Sequence, residues 1–260
     1  MVRGLDIFKE HFEAYRDCYV LIGGTASSLA MDELGVDFRA TKDLDIVLIV
    51  EALDEAFVST FWEFVEAGKY ENRQISTGKR LFYRFHRPQD HRYPFMLELF
   101  SRKPDAMDLA EGSGLTPIPT EEAVSSLSAI LMNDDYYSFV LKQRRDLDGL
   151  SYIGAEALIP LKAKAYLDLS ARKDAGEQID SKDIKKHKRD IFRLFGILDL
   201  GQNVECPLAI QEDLGEALAK LAEDDIDLAA LNIKGRTKAE ILEALSEVYG
   251  LSGPQPNETL

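Results

Sequence analysis

The feature that most constrains this chain is a strand-like run that opens on two acids, Asp43-Leu44-Asp45-Ile46-Val47-Leu48-Ile49-Val50. Its β-branched content and charged start read as a buried strand with a polar mouth. Strand side chains alternate with period two, so Asp43 and Asp45 point to the same side. Upstream, the apolar run Cys18 to Ile22 reads as a second strand, broken by Gly23-Gly24-Thr25. Thr25 has the chemistry of an N-cap for a helix carrying Ala26, Leu29, Ala30 and Leu34, with Gly35 placed to end it. An amphipathic helix on Leu5, Phe8, Phe12 and Tyr15 precedes this strand, glycine turn, helix and strand.

The rest of the pattern divides the chain. Residues 53–68 read as a helix, and strands over Arg80 to His86 and Tyr93 to Ser101 are joined by Pro88-Gln89-Asp90-His91. From about residue 120 the pattern is mostly helical. Helices are expected over Thr120 to Met132, Tyr136 to Arg144, Glu156 to Arg172 and Lys182 to Leu198, with one short strand at Leu150 to Ile153. Thr237-Lys238-Ala239-Glu240 fits a capping box ahead of Ile241, Leu242, Leu245 and Val248, and the polar Ser252 to Leu260 reads as disordered. The expectation is an α/β (α+β) domain over 1–153, a helical domain over 154–250 and a disordered tail over 251–260.

Composition excludes several classes. The 260 residues carry 31 Lys and Arg against 46 Asp and Glu, a net charge of −15, which argues against a generic polyanion binder. No run reaches the roughly 18 apolar residues that span a bilayer, and the amino end is charged throughout, so a soluble cytoplasmic protein without a membrane partner is expected. Cys18 and Cys206 stand far apart; both are expected as buried thiols, with no disulfide-linked partner.

Two carboxylates held on one strand face set a chemical problem. At about 4 Å and an effective dielectric of about 20, like charges repel by roughly 4 kcal/mol, so a cation, a shared proton or a basic side chain must neutralise them. A divalent ion is the natural candidate. Mg²⁺, or Mn²⁺ in its place, prefers one or two carboxylates with phosphate oxygens and water, and needs no His or Cys. The Gly23-Gly24-Thr25 turn at a helix N-terminus offers backbone N–H groups to a triphosphate. Arg39 and Lys42 either steady that triphosphate or balance the two acids.

At these residues the chain resembles a family. GGTASSLA followed by RATKDLDIVL looks like the nucleotidyltransferase superfamily, and Gly-Gly-Thr with Arg-x-Thr-x-Asp-x-Asp is similar to the AbiEii-type abortive-infection (type IV toxin-like) nucleotidyltransferases. The resemblance implies a nucleotidyltransferase-fold mixed sheet with flanking helices, followed by a helical C-terminal domain. It implies that Gly23, Gly24 and Thr25, the last in place of the commoner Ser, bind the nucleotide phosphates with Arg39 and Thr41, and that Asp43 and Asp45 hold metal. The third acid of the family falls best on Glu98 in Phe95-Met96-Leu97-Glu98-Leu99-Phe100, as metal ligand or general base. The alternative is an ion pair of Glu98 with Arg84 or Arg80 on a neighbouring strand.

In the helical half, Lys164 of LKAKAYL would contact the triphosphate, and Asp190 of KHKRDIFRL matches the first acid of a further motif, with Arg193 where an Asp is expected. Plainer readings stand beside these: Lys164 pairs with Asp168 four residues on, and Asp190 lies among Lys186 and Arg193. The basic run Lys182 to Arg193 reads as a solvated helix face, yet it is the one place where an RNA backbone would find complementary charge. The expected activity is Mg²⁺-dependent transfer of a nucleoside monophosphate from an NTP to a hydroxyl of a tRNA or protein acceptor, within a toxin-antitoxin pair that has an antitoxin-like partner protein. The alternative is a catalytically inactive NTP-binding protein, or a partner-regulated interaction protein, of the same fold.

Overall fold

A computed structural model describes residues 2–72, 83–100, 130 and 133–251. The chain divides into two compact units, Met1–Gly154 and Ala155–Leu260. The first is a mixed sheet with flanking helices and the second is helical, so the expected α/β class with a helical C-terminal part is what the chain adopts.

The first unit runs α1 (Leu5–His11), β1 (Tyr19–Ile22), α2 (Gly23–Asp32), β2 (Asp43–Leu48), α3 (Glu55–Gly68), β3 (Glu71–Asn72), β4 (Tyr83–His86), β5 (Met96–Phe100), α4 (Asp134–Lys142), β6 (Arg144–Leu147) and β7 (Leu150–Ile153). Strand order is β3-β4-β5-β2-β1-β7-β6. β2 lies antiparallel to β1 and parallel to β5, and β1 lies parallel to β7. This central position explains the composition of β2: Leu44, Ile46, Val47 and Leu48 are all buried. Phe8, Phe12, Tyr19, Phe57, Phe61 and Phe64 bring α1 and α3 together over β1, with ring centroids 4.5–6.4 Å apart. Such pairs each add about 1 kcal/mol to their area burial. Asp54 starts α3 by accepting the Phe57 N–H at 2.7 Å.

Several expectations are corrected. α1 stops at His11, and Glu13–Cys18 forms a 3₁₀ segment instead of continuing the helix to Tyr15. The helix expected over Tyr136 to Arg144 ends at Lys142, and Arg144 begins β6. The cause is the Asp148-Gly149 turn, both residues at positive φ (49° and 80°), a two-residue hairpin geometry that folds Arg144–Leu147 back onto β7. The two-residue β3, paired with β4, was not expected. The helix expected at Thr120 to Met132, except Ile130, lies outside the described residues, as do Arg80 and the tail from Ser252.

The second unit contains α5 (Ala155–Asp174), α6 (Ser181–Phe195), α7 (Leu208–Glu223) and α8 (Lys238–Val248). Pro160 sits inside α5, where it removes the N–H that would bond the carbonyl of Glu156. The buried hydroxyl of Tyr249 donates to that carbonyl instead, at 2.9 Å. Lys238 donates to the carbonyls of Ala222 and Asp224 at the end of α7, where cations complement the helix dipole. The expected capping box is present: Thr237 Oγ1 accepts the Glu240 N–H and Glu240 Oε2 accepts the Thr237 N–H. That backbone bond holds the Glu240 carboxyl below its usual range.

Candidate functional site

The site begins at the corner between β1 and α2. Gly23 has φ +63°, a left-handed conformation that glycine adopts without penalty. The β1–β2 register sets Ile22 opposite Asp45, which brings the Asp45 carboxylate against the next residue, Gly23. A Cβ added to Gly23 would lie 1.8 Å from Asp45 Oδ2, so only a hydrogen fits there. The Gly24 N–H donates to the same Oδ2 over 3.4 Å, a long bond that brings a carboxylate to the positive end of α2. A Cβ on Gly24 would meet Thr41 Oγ1 at 2.7 Å and approach Arg39 Nη2 to 3.8 Å. Gly23, Gly24, Arg39, Thr41 and Asp45 are therefore one cluster.

Thr25 is not the N-cap. Gly23 turns the corner by its own φ, so the helix starts three residues earlier than the cap chemistry suggested. The Thr25 hydroxyl donates instead to the carbonyl of Asp43 at 2.8 Å and ties the first turn of α2 to the mouth of β2. The helix also ends before Leu34, which is 60 % exposed, with Gly35 at φ +68° beyond it.

Asp43 and Asp45 are half-buried, with buried Leu44 between them, as period-two alternation requires. The parallel register pairs Asp45 with Glu98 of β5 and Asp43 with Met96. Cross-strand partners point to one side of a sheet, so Glu98, buried at 8 % exposure, shares the face of the two aspartates. β4 sets Arg84 opposite Glu98 from the other side. Among the described residues no three or more His, Cys, Asp or Glu form a group that holds a metal ion. The aspartate pair is nevertheless a donor set of the kind Mg²⁺ uses, hard oxygens in ones or twos with phosphate and water completing the shell.

Phe38 is a neighbour that sequence reasoning missed. Its ring lies 5.1 Å beneath the Arg39 guanidinium, within cation–π range. Lys42, the other basic candidate here, is exposed.

The two candidates of the helical unit lie in a different setting. Lys164 of α5 donates to Asp213 of α7 at 2.5 Å, and its expected partner Asp168 is instead 3.7 Å from Arg172. Asp190 of α6 is wholly buried, with Lys162 Nζ at 3.4 Å and Arg193 Nη1 at 3.3 Å. Lys162 is itself 5 % exposed. It went unremarked in the sequence although it lies inside the fully buried run Ala155–Ala163, and a lysine in such a run requires an anion.

The cysteines are both free. Cys18 is buried and donates to the Ala52 carbonyl at 3.2 Å; burial, with Asp54 and Asp17 nearby, pushes its thiol up to about 11. Cys206 is half-buried rather than buried, in a stretch whose neighbours Glu205 and Leu208 are exposed, and burial also raises its thiol. Among the described residues no helix is long and apolar enough to cross a membrane.

No family model and no curated protein matches the sequence. Among solved structures, the chain is similar to an antigenic nucleotidyltransferase-like protein from Paracoccidioides brasiliensis, at 16% identity and a TM-score of 0.44, over 91% of this chain and 97% of the other.

Proposed function

We propose that the protein is a nucleotidyltransferase that moves a nucleoside monophosphate from an NTP to a hydroxyl of an RNA or protein acceptor and releases pyrophosphate. The observation that carries this reading is the apposition of Gly23 and Asp45, with no room for a side chain between the helix N-terminus and the carboxylate. Glycine there keeps side chains away from the N-terminus of α2, whose N–H groups would turn to phosphate oxygens, and Arg39 and Thr41 stand beside Gly24 to hold the same phosphates. Asp43 and Asp45 would hold Mg²⁺ or Mn²⁺. When bound, that ion neutralises charge on the attacking and leaving oxygens. Glu98, on the same face, would accept the proton of the acceptor hydroxyl as the new phosphoester bond forms. Lys164 and Asp190 do not enter this scheme, because their charged groups are engaged within the helical unit.

The sequence resemblance supports a toxin-antitoxin setting for this reaction, with an antitoxin-like protein as partner. Overexpression of the wild type should then slow growth, and Asp43→Ala should not.

Calorimetric titration of each of the four NTPs with Mg²⁺, into the wild type and an Asp43→Asn, Asp45→Asn double variant, tests the site. Binding by the wild type alone supports the assignment and names the nucleotide. Equal binding by both would move the nucleotide elsewhere. Binding without pyrophosphate release, with acceptor supplied, would leave the alternative of an NTP-binding protein that is inactive or awaits a partner.

A further inference from the structure

α6 carries its charge on one side. At about 100° per residue, Lys182, Lys185, Lys186, Arg189 and Arg193 fall within an arc of about 100°, and no acid of the helix shares it. The opposite side is apolar, with Ile191, Leu194 and Phe195 buried. Lys182, Lys185, Lys186 and Arg189 are exposed. Among the described residues, the two α6 cations engaged with acids are Lys188, 2.9 Å from Asp224, and Arg193, 3.3 Å from Asp190.

Beyond the helix, Lys173 donates to the Ser181 hydroxyl at its start, while Arg236 lies on the apolar side, over the Phe195 ring at 5.5 Å. Fifteen residues give the helix a length of about 22 Å. The exposed faces of α7 and α8 carry the opposite sign, with Glu212, Glu216, Glu240, Glu243 and Glu247 all exposed. Six of the 31 Lys and Arg thus stand on one helix of a chain whose net charge is −15. A merely solubilising surface intersperses both signs, whereas a single-sign stripe builds a field that attracts the opposite charge.

We propose that the outer face of α6 docks the phosphate backbone of single-stranded RNA. The docking stands on the charge stripe alone; its corollary, that RNA and not protein is the acceptor, rests on the nucleotidyl-transfer reading. No side-chain pocket is needed along the stripe, since backbone recognition is electrostatic and indifferent to sequence.

The test is fluorescence anisotropy of a labelled mixed-sequence RNA of about 30 nucleotides, titrated with the full chain at about 50 to 200 mM salt and without NTP. A Lys182→Gln, Lys186→Gln, Arg189→Gln triple variant is compared with a Lys9→Gln, Arg16→Gln, Lys69→Gln triple variant of identical net charge. At about 0.7 log units per phosphate contact, the α6 variant should lose about 2 from the log–log salt slope, and the control variant should lose none. The wild-type affinity should fall about twentyfold or more across that salt range. A wild-type slope shallower than about −2, or equal weakening in the two variants, overturns the proposal, as does self-association at low salt that depends on α6 and outcompetes RNA. Asp43→Asn, Asp45→Asn protein should bind the RNA as the wild type does. Docking without transfer would therefore count against the reaction alone, and transfer to RNA unchanged by the α6 substitutions would count against the docking alone.

Discussion

Asp45 and Asp190 are both inward-facing acids, and the two units accommodate them differently. Asp190 is fully buried and is met by two cations, Lys162 and Arg193, so charge is matched by charge between α5 and α6. Asp45 is half-buried and is met by a glycine: a backbone N–H at 3.4 Å and a Cα so close that no side chain fits. The first arrangement braces two helices, because ion pairing of that kind fixes their relative register. The second sets a carboxylate beside the backbone donors of a helix N-terminus, which suits the binding of a cation together with its anionic ligand.

That contrast is tested most severely at Asp190. Asp190→Ala should destabilise the helical unit by about 3–5 kcal/mol in urea unfolding, the usual effect of deleting one member of a buried pair. Adding Lys162→Met should recover much of that loss, and a failure to recover would mean that Asp190 does more than neutralise lysine.

Next in size is Gly23→Ala, which should cost about 2 kcal/mol from the left-handed backbone and the displacement of Asp45, and should abolish NTP binding in the same calorimetric titration. Asp45→Asn keeps the shape and should shift stability by no more than about 1 kcal/mol while also losing NTP binding. Were it as destabilising as Asp190→Ala, the contrast between the two units would fail.

The smallest effects concern acids and glycines outside these two places. Burial alone would raise the Asp224 carboxyl, but hydrogen bonds from Lys188 and Tyr166, and the charges of Lys188 and Lys220, outweigh it and leave the carboxyl below its usual range. A depressed carboxyl contributes stability above its unfolded value near about 3.9, and loses it as pH falls through the folded value. The stability gap between wild type and Asp224→Asn should therefore shrink from pH 6 to about pH 2.5. For a partly exposed group that gap should stay within about 1 kcal/mol. Gly215→Ala in α7, where an added Cβ meets nothing within 4 Å, should raise stability by about 0.5–1 kcal/mol.

What the sequence revealed was mostly what short-range periodicity can carry. Alternation along β2 foretold that Asp43 and Asp45 share a side, and the Gly-Gly break foretold the corner at which β1 becomes α2. Local chemistry misled where geometry overrode it: Thr25 has a capping hydroxyl, but Gly23 makes a cap unnecessary. The β6–β7 hairpin had a legible signal in Asp148-Gly149 that the adjoining helical pattern hid. Pairings across long sequence distances were not legible. Nothing near Lys164 announces Asp213, and nothing near Lys162 announces Asp190, because helix packing sets those meetings. Glu98 shows both sides: its lone charge marked it, yet only the strand order puts it beside Asp45.

The bond from Tyr249 to the Glu156 carbonyl has a consequence for how the helical unit is assembled. The two residues are 93 positions apart, so while the chain is being synthesised α5 emerges long before the hydroxyl that will satisfy its proline-opened turn. Until α8 and Tyr249 arrive, that carbonyl must rely on water, and the turn around Pro160 can close against apolar neighbours only afterwards. The helical unit is therefore expected to lock late and as a whole, with its last helix setting the moment.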